Sequence, residues 1–168
     1  KTGGYEVVDL GDDVYTQGKP HPMIDPEVRI KKILECAKDP QTGVILLDCM
    51  LGYGCHPDMA GALAPAIREA QEIAKADGRE LYFVASVCGT RQDPQDYDRA
   101  AAELKECGVL VEESNARAIR LALKLKGIDY KENTRGHVEA AVDETPLPEP
   151  DVASKWKLIS SVWGAVNT

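Results

Sequence analysis

The stretch GVILLDCMLGYGCHPDMAGAL, residues 43–63, decides the fold of this chain. It opens with a run of almost only apolar residues, which is typical of a strand buried on both faces of a parallel sheet. The run stops at a turn containing Gly52 and Gly54, and apolar residues then recur with the 3.6-residue period of a helix. The pattern predicts a central strand, a turn and a helix. The turn also carries Cys55 and His56, so it is either a site or only a corner.

The same unit, a short apolar run followed by an amphipathic stretch, recurs along the chain. This alternation predicts an α/β domain with three layers, in which helices cover a mostly parallel sheet. The predicted strands are YEVVDL (5–10), GVILLDCML (43–51), ELYFVASVCG (80–89) and VLVEE (109–113). Capping residues predict helix starts, and glycines predict helix ends. The predicted caps are Asp25, which is followed by Pro26 as the first helical residue, and Asp58, Asp93 and Ser114. The predicted ends are Gly78, Gly108 and Gly127. Pro65 lies inside a predicted helix and should kink it.

Length and composition predict one soluble domain. The chain has 168 residues and a net charge of −8, with no basic cluster interleaved with aromatics, so nucleic acid is not an expected partner. No apolar run is long enough for a membrane span, and the start lacks the layout of a signal peptide. The five cysteines have no CxxC spacing, which indicates cytosolic thiols rather than a zinc site. We therefore expect a cytoplasmic protein, and the first residue, a lysine, suggests a piece of a longer one.

The character of the chain changes near Gly127. Residues 1–127 carry the strand and helix patterns, whereas the segment from 128 to 168 begins acidic and proline-bearing and ends in SKWKLISSVWGAVNT. We interpret 1–127 as the α/β domain and 128–168 as a linker with a carboxyl-terminal arm.

Three turns carry the residues with functional chemistry: LGDDVYTQGKPHPMID, LGYGCHPD and CGTRQDPQ. In a parallel sheet every strand-to-helix turn opens at the carboxyl edge, where ligands bind. Glycines let the backbone approach a ligand, and the unpaired N–H groups at a helix start favour an anion. The predicted ligand is a small anionic substrate, and the predicted binding residues in these turns are Gly11, Gly52, Gly54, Gly89 and Thr90.

Three side chains are candidates for the chemistry itself. His21 stands between two prolines that stiffen its loop, or it is only a surface histidine on a rigid arm. His56 lies at a helix start, where the positive end of the dipole disfavours a charged imidazole, so it would act as a neutral donor or only as a cap. Arg91 could grip a carboxylate or phosphate with paired hydrogen bonds, or it is an exposed arginine paired with Asp93 or Asp96.

Two further possibilities are weaker. Cys55 at a helix start could have a lowered pKa and act as a nucleophile, although only the adjacent His56 could serve as its base. The acidic residues Asp12, Asp13 and Asp25 could hold a magnesium ion, but turn aspartates are far more often caps. We therefore predict no metal site.

The spans DLGDDVYTQGKPHPMIDPEVR, VILLDCMLGYGCHPDMAGAL and VCGTRQDPQDYDRAAAELKECGV resemble the carboxyl-terminal part of FdrA-type proteins. These proteins are relatives of the succinyl-CoA synthetase and NDP-forming acyl-CoA synthetase superfamily. The resemblance covers about residues 5 to 127, and its more specific motifs stand here as GKPHPMID (18–25) and GTRQDPQ (89–95). It implies a flavodoxin-like CoA-ligase domain, in which Gly52, Gly54 and the helix from Asp58 match a phosphate-stabilising segment.

The resemblance also narrows the reaction. Some synthetase subunits hold a phosphorylated histidine in the loop that starts here at Gly89, but residues 88–95 contain no histidine. The FdrA group is also associated with purine catabolism and with oxamate carbamoyltransferase, which needs no phosphohistidine. The resemblance thus implies that the chain is part of a carbamoyltransferase or an acid-thiol ligase and is inactive alone. It also implies that CoA or a nucleotide binds to other domains, and that the chain assembles with like or different subunits of the family.

Two other readings compete with this one. The domain could be a structural module that serves subunit pairing without catalysis. A flavodoxin-like FMN binder is poorly supported, because the first turn lacks a hydroxyl-rich phosphate loop and few aromatics could stack on a flavin.

Overall fold

The computed structural model describes residues 4–128, which all lie within one compact unit, Lys1–Lys131. The predicted arm and most of the predicted linker lie outside the described residues. The elements in chain order are α1 (Asp13–Thr16), α2 (Glu27–Lys38), β1 (Val44–Met50), α3 (Met59–Ala76), β2 (Tyr82–Cys88), α4 (Tyr97–Glu106), β3 (Leu110–Glu112) and α5 (Asn115–Leu125). No helix among the described residues is both long and apolar enough to cross a membrane.

The three strands form one open parallel sheet in the order β1-β2-β3. Val44 pairs with Tyr82 and Met50 with Cys88, so β1 and β2 end level with each other. The α/β prediction with a parallel sheet is confirmed. The central strand, however, is β2 rather than β1: five consecutive residues of β2 are buried, whereas β1 has one buried residue. A continuous apolar run therefore did not distinguish a central from an edge strand.

The predicted first strand, YEVVDL, does not form among the described residues. Tyr5 makes only an isolated bridge, and the side chain of Val7 is 100% exposed. An alternating pattern favours a strand only where one face is buried against something. Tyr5 and Val7, which share one face, are both exposed here, so the segment stays irregular, and the part of the chain that the structure describes has three of the four predicted strands.

The core lies on one face of the sheet, beneath α2, α3 and α4. Alternate strand residues Cys49, Phe83 and Ala85 point into it and are completely buried, as are Leu63 and Leu104 from the helices. The other face is covered by α5, where Val84 and Ala118 are both fully buried. Helices on both faces give the predicted three layers.

The helix starts follow the capping residues, with two shifts. Asp58 and Ser114 cap α3 and α5 as predicted, each accepting a first-turn N–H. For α2 the cap position is Pro26, while Asp25 accepts the N–H of Glu27 at 2.9 Å, so the predicted start was one residue early.

The start predicted at Asp93 for α4 is wrong, because Asp96 is the cap and Tyr97 the first helical residue. The α3 helix continues through Pro65 without interruption. It ends before Gly78, whose φ of 70° suits a residue without a side chain.

Candidate functional site

The loops that follow β1 and β2 leave the sheet at the same edge and are held together by Gln95. Its Oε1 accepts the N–H of Gly52 at 2.9 Å, and its Nε2 donates to the carbonyl of Gly52 at 2.9 Å. The same Nε2 donates to the carbonyl of His56 at 3.2 Å. One side chain of the second loop therefore holds the backbone of the first at two places.

The loop that contains His21 reaches the same edge. The N–H of His56 donates to the carbonyl of Met23 at 2.8 Å, which joins this loop directly to the loop after β1. Three corners thus meet on one rim, although the first of them is not preceded by a strand. Gly11 and His21 lie in the first corner, Gly52, Gly54 and His56 in the second, and Gly89, Thr90 and Arg91 in the third.

Both histidines use the same ring atom to stabilise their own loop. The Nδ1 of His21 accepts the N–H of Met23 at 3.2 Å, and the Nδ1 of His56 accepts the N–H of Asp58 at 3.0 Å. An Nδ1 that accepts a hydrogen bond leaves the hydrogen of a neutral ring on Nε2. Each imidazole is therefore oriented, with Nε2 as its remaining donor. The ring of His21 lies against Gly11, where an added Cβ would come within 2.6 Å of Nε2.

Close packing between the two strand exits explains the glycine that opens the third corner. A Cβ on Gly89 would lie 2.6 Å from the Cβ of Leu51 and 3.0 Å from the Oδ2 of Asp93. Gly52 has a φ of 136°, a conformation that side chains disfavour. Gly54 has open space around it, so its surroundings do not require a glycine.

Arg91 is exposed and already has a partner. Its Nε and Nη2 donate to the two carboxylate oxygens of Asp98 at 2.9 and 2.8 Å, and its guanidinium lies 5.5 Å from the ring centroid of Tyr97. The partner is Asp98 rather than Asp93 or Asp96. Asp93 instead accepts the N–H of Thr90 at 2.6 Å and shapes the loop. An anion at Arg91 would have to compete with Asp98 for the guanidinium.

A second arginine bridges the two helices that start at this rim. Arg99 of α4 donates to the Oδ2 of Asp58 at 2.8 Å, while the Oδ1 of Asp58 accepts the N–H of Gly61 at 3.1 Å. Beside this pair lies a cavity of about 20 Å³, enough for roughly one water molecule, and Leu51 and Gln95 are in its wall. Packed side chains therefore fill most of the space between the two helix starts.

Some backbone donors remain available at the rim. The N–H groups of Tyr53 and Gly54 donate to no other residue within 4–128, and neither does the N–H of Arg91. The starts of α3 and α4, in contrast, are capped by the carboxylates of Asp58 and Asp96. Each cap takes up one first-turn N–H, that of Gly61 in α3 and that of Arg99 in α4, so the glycine turns add their donors to those of the helix starts.

Cys55 does not have the lowered pKa that a nucleophile at this position would need. Burial raises the pKa of its thiol, and the charges of Asp93 and Cys88 raise it further. The considered magnesium ligands act otherwise: Asp12 caps α1, and Asp25 holds the first turn of α2. Among the described residues, no three His, Cys, Asp or Glu side chains form a group that could hold a metal ion.

Gln95 and Arg99 lie in the sequence spans that carry the family resemblance, but they were not predicted to be site residues. Their partners are 43 and 41 residues away in the chain, Gly52 for the one and Asp58 for the other. The sequence signal for Gln95 was its place in GTRQDPQ, a motif of the resemblance. Arg99 had no signal, because an arginine on a helix of charged residues is ordinary.

Comparison with known proteins identifies a family over nearly all described residues. Residues 1–125 match the CoA-ligase family. The chain is also 44% identical over 115 residues to the uncharacterized protein YahF of Escherichia coli (strain K12). That match covers 68% of this chain but 22% of YahF, so the chain spans about a fifth of the length of this relative.

Proposed function

The chain belongs to the CoA-ligase family, and from this premise we propose that its three corners hold the anionic part of a small substrate in a ligase or carbamoyltransferase reaction. The observation that carries the proposal is the joining of the corners by Gln95 and by the bond from His56 to Met23. Contributions from three separate chain segments to one rim are typical of ligand sites in parallel α/β domains.

In the proposed site the backbone and the side chains have separate roles. The free N–H groups of Tyr53 and Gly54 bind phosphate or carboxylate oxygens, as glycine turns do in other anion sites. Arg91 exchanges Asp98 for the substrate and makes the same paired hydrogen bonds to it. His21 and His56 offer Nε2 as donors to a carbonyl or phosphoryl oxygen.

Among the possible reactions we favour carbamoyl transfer. Residues 88–95 contain no histidine, so this loop offers no phosphohistidine, and carbamoyl transfer requires none. We further propose that the reaction takes place in the cytoplasm, in an assembly with other family subunits. CoA or a nucleotide would be bound by parts that correspond to the remainder of the longer relative. We also propose, from the change in composition near Gly127, that residues 1–127 form the domain and residues 128–168 a tail.

The alternative is a non-catalytic assembly module of the same family. It is favoured by the ion pairs of Arg91 with Asp98 and of Arg99 with Asp58, because these pairs engage both arginines described above as lying near the two joined loops. The two readings differ in whether an anion binds at all.

Calorimetry on the intact protein with its assembly partners separates them. Phosphate, carbamoyl phosphate, oxamate and CoA are titrated separately into the wild type, Arg91→Ala and Arg68→Ala. Arg68 is exposed in the middle of α3, so its replacement makes the same change in net charge away from the rim. Binding of at least one ligand, weakened by Arg91→Ala and kept by Arg68→Ala, supports the enzyme reading. If none of the four ligands binds, the result supports the non-catalytic assembly module instead.

A further inference from the structure

The side of β1 that faces away from β2, its open edge, has no neighbouring strand within residues 4–128. Of the residues of β1 only Cys49 is buried, and Leu46 is 39% exposed. Residues 44–47 are nevertheless all apolar, which is typical of a strand covered on both faces inside a sheet. β1 contains neither lysine nor proline, the residues that commonly protect an edge strand, so another strand can pair with its open edge.

The pairing with β2 identifies the backbone groups at the open edge. The carbonyl of Gly43 accepts the N–H of Tyr82 at 3.0 Å, and the N–H of Leu51 donates to the carbonyl of Cys88 at 2.9 Å. Because backbone groups of successive residues point to opposite sides of a strand, the odd-numbered residues of β1 bond to β2. The residues whose N–H and C=O groups point to the open edge are Val44, Leu46, Asp48 and Met50.

An arginine from α2 occupies one of these outward groups. Arg29 is 9% exposed, and its Nη2 donates to the backbone carbonyl of Asp48 as well as to the Oδ1 of Asp48, the latter at 2.8 Å. The N–H and C=O of Leu46 and the N–H of Asp48 make no hydrogen bond with any residue in the described part of the chain. These free groups are what an added strand requires, and the bond from Arg29 limits how far such a strand can extend.

A second strand-like segment lies beside the same helix. Residues 5–10 have the alternating pattern of a strand, yet Val7 is 100% exposed and the segment forms no ladder among the described residues. The Oε1 of Glu6 lies 3.7 Å from the Nζ of Lys32. Lys32 follows Arg29 by three residues, so the two side chains leave α2 on the same side. The open edge of β1 and residues 5–10 therefore lie along one face of α2, and neither has a partner strand within residues 4–128.

We propose that one further β-strand lies between β1 and residues 5–10 and pairs with both. On β1 it bonds to the free groups of Leu46 and to the N–H of Asp48, and the pairing ends at the Asp48 carbonyl that Arg29 occupies. Its side chains are apolar on both faces, because they lie beside the exposed Leu46 on one face and the half-buried Leu47 on the other.

The source of this strand is polypeptide that corresponds to the remainder of the longer relative. The match with YahF covers 22% of that protein, so most of its length lies outside the match and can supply a strand. The inference does not rest on the function proposed for the three corners, since it uses neither their residues nor their ligand.

The test compares amide hydrogen exchange in the 168-residue chain with that in full-length YahF, which is 44% identical over the matched 115 residues. Protection factors are measured for the amides of Leu46 and Asp48, for those of residues 5–10, and for the aligned amides of YahF. Val111 provides the control amide, because it lies in β3, the strand at the opposite edge of the sheet.

In the 168-residue chain the amides of Leu46 and Asp48 should exchange about as fast as in an unfolded chain. In YahF the aligned amides should be protected about a hundredfold or more, together with alternate amides in the segment aligned with residues 5–10. The proposal is overturned if these YahF amides are unprotected, if only one of the two segments is protected, or if the amide aligned with Val111 gains as much protection. It is also overturned if Leu46 and Asp48 are already protected in the 168-residue chain, as they would be when a second copy occupies the open edge.

Discussion

The carboxamide of Gln95 bonds to both the N–H and the C=O of Gly52, as the backbone of a neighbouring strand would. The two residues belong to different loops, so their contact continues the pairing of β1 with β2 beyond the last strand residues, Met50 and Cys88. A third bond, from Gln95 to the carbonyl of His56, extends the contact to the turn that leads into α3. The rim is therefore built around one side chain.

Replacing Gln95 should destabilise the domain. Gln95→Ala removes three hydrogen bonds and leaves the N–H of Gly52 without its partner in a half-buried place. We expect a loss of about 1–3 kcal/mol in the free energy of unfolding, measured by urea denaturation. Gln92→Ala in the same loop is the control: its side chain is exposed and makes no hydrogen bond among residues 4–128, so a change within about 0.5 kcal/mol is expected. Equal stability of the two variants would contradict the role assigned to Gln95.

A methyl group on Gly89 should be poorly tolerated. Gly89→Ala would place a Cβ 2.6 Å from the Cβ of Leu51, so one of the two loops has to move. The expected loss is about 1–3 kcal/mol, as for other overpacked sites. Gly54→Ala provides the comparison, because nothing lies within 4 Å of its added Cβ. Thermal unfolding of both variants measures the difference, and the packing argument fails if Gly89→Ala is as stable as Gly54→Ala.

The pair of Arg91 and Asp98 predicts a pH effect. The hydrogen bonds from Arg91 lower the pKa of the Asp98 carboxyl group. A carboxyl group whose pKa is lowered by folding stabilises the folded state above its unfolded pKa, and the contribution is lost as the pH falls through the folded pKa. NMR titration should therefore show a higher pKa for Asp98 in Arg91→Ala than in the wild type. Arg117→Ala, which removes a partner of Glu112 instead, should leave the pKa of Asp98 unchanged.

Arg91→Ala should also differ from the wild type in the pH dependence of its stability. The stability difference between the two proteins should narrow as the pH falls through the folded pKa of Asp98, because a protonated carboxyl group is neutral and no longer forms an ion pair with the guanidinium of Arg91. Urea denaturation at a series of acidic pH values follows this difference. A difference in unfolding free energy that grows with falling pH would be inconsistent with the pairing of Arg91 and Asp98.

The thiols should differ widely in reactivity. Cys88 is exposed, whereas Cys49 is fully buried, and burial raises the pKa of the Cys49 thiol to about 11. At neutral pH Cys49 therefore has little thiolate and no access for a reagent. Mass spectrometry after a short pulse of N-ethylmaleimide should find Cys88 modified well before Cys49. In urea all five cysteines should react at similar rates, and prompt labelling of Cys49 in the native protein would be at odds with its burial.

Local sequence predicted the elements but not their surroundings. The caps Asp58 and Ser114 and the stop at Gly78 were readable because each acts within a few residues of its own helix. The predicted strand at residues 5–10 failed for the opposite reason, since a strand needs a neighbour and a covered face. The burial of Arg29 was not predicted, because its partner Asp48, which accepts its hydrogen bonds, lies 19 residues later in the chain.

By itself the sequence determined an α/β domain with parallel strands, glycine turns after the strands and the family to which the chain belongs, because periodicity, caps and motifs are properties of neighbouring residues. Only the tertiary structure decided which side chains meet. Gln95 reaches Gly52, Arg99 reaches Asp58, and Arg91 is held by Asp98, seven residues away. These contacts depend on how far each loop extends beyond the sheet and on which helix starts beside it, and nothing local in a chain records those distances.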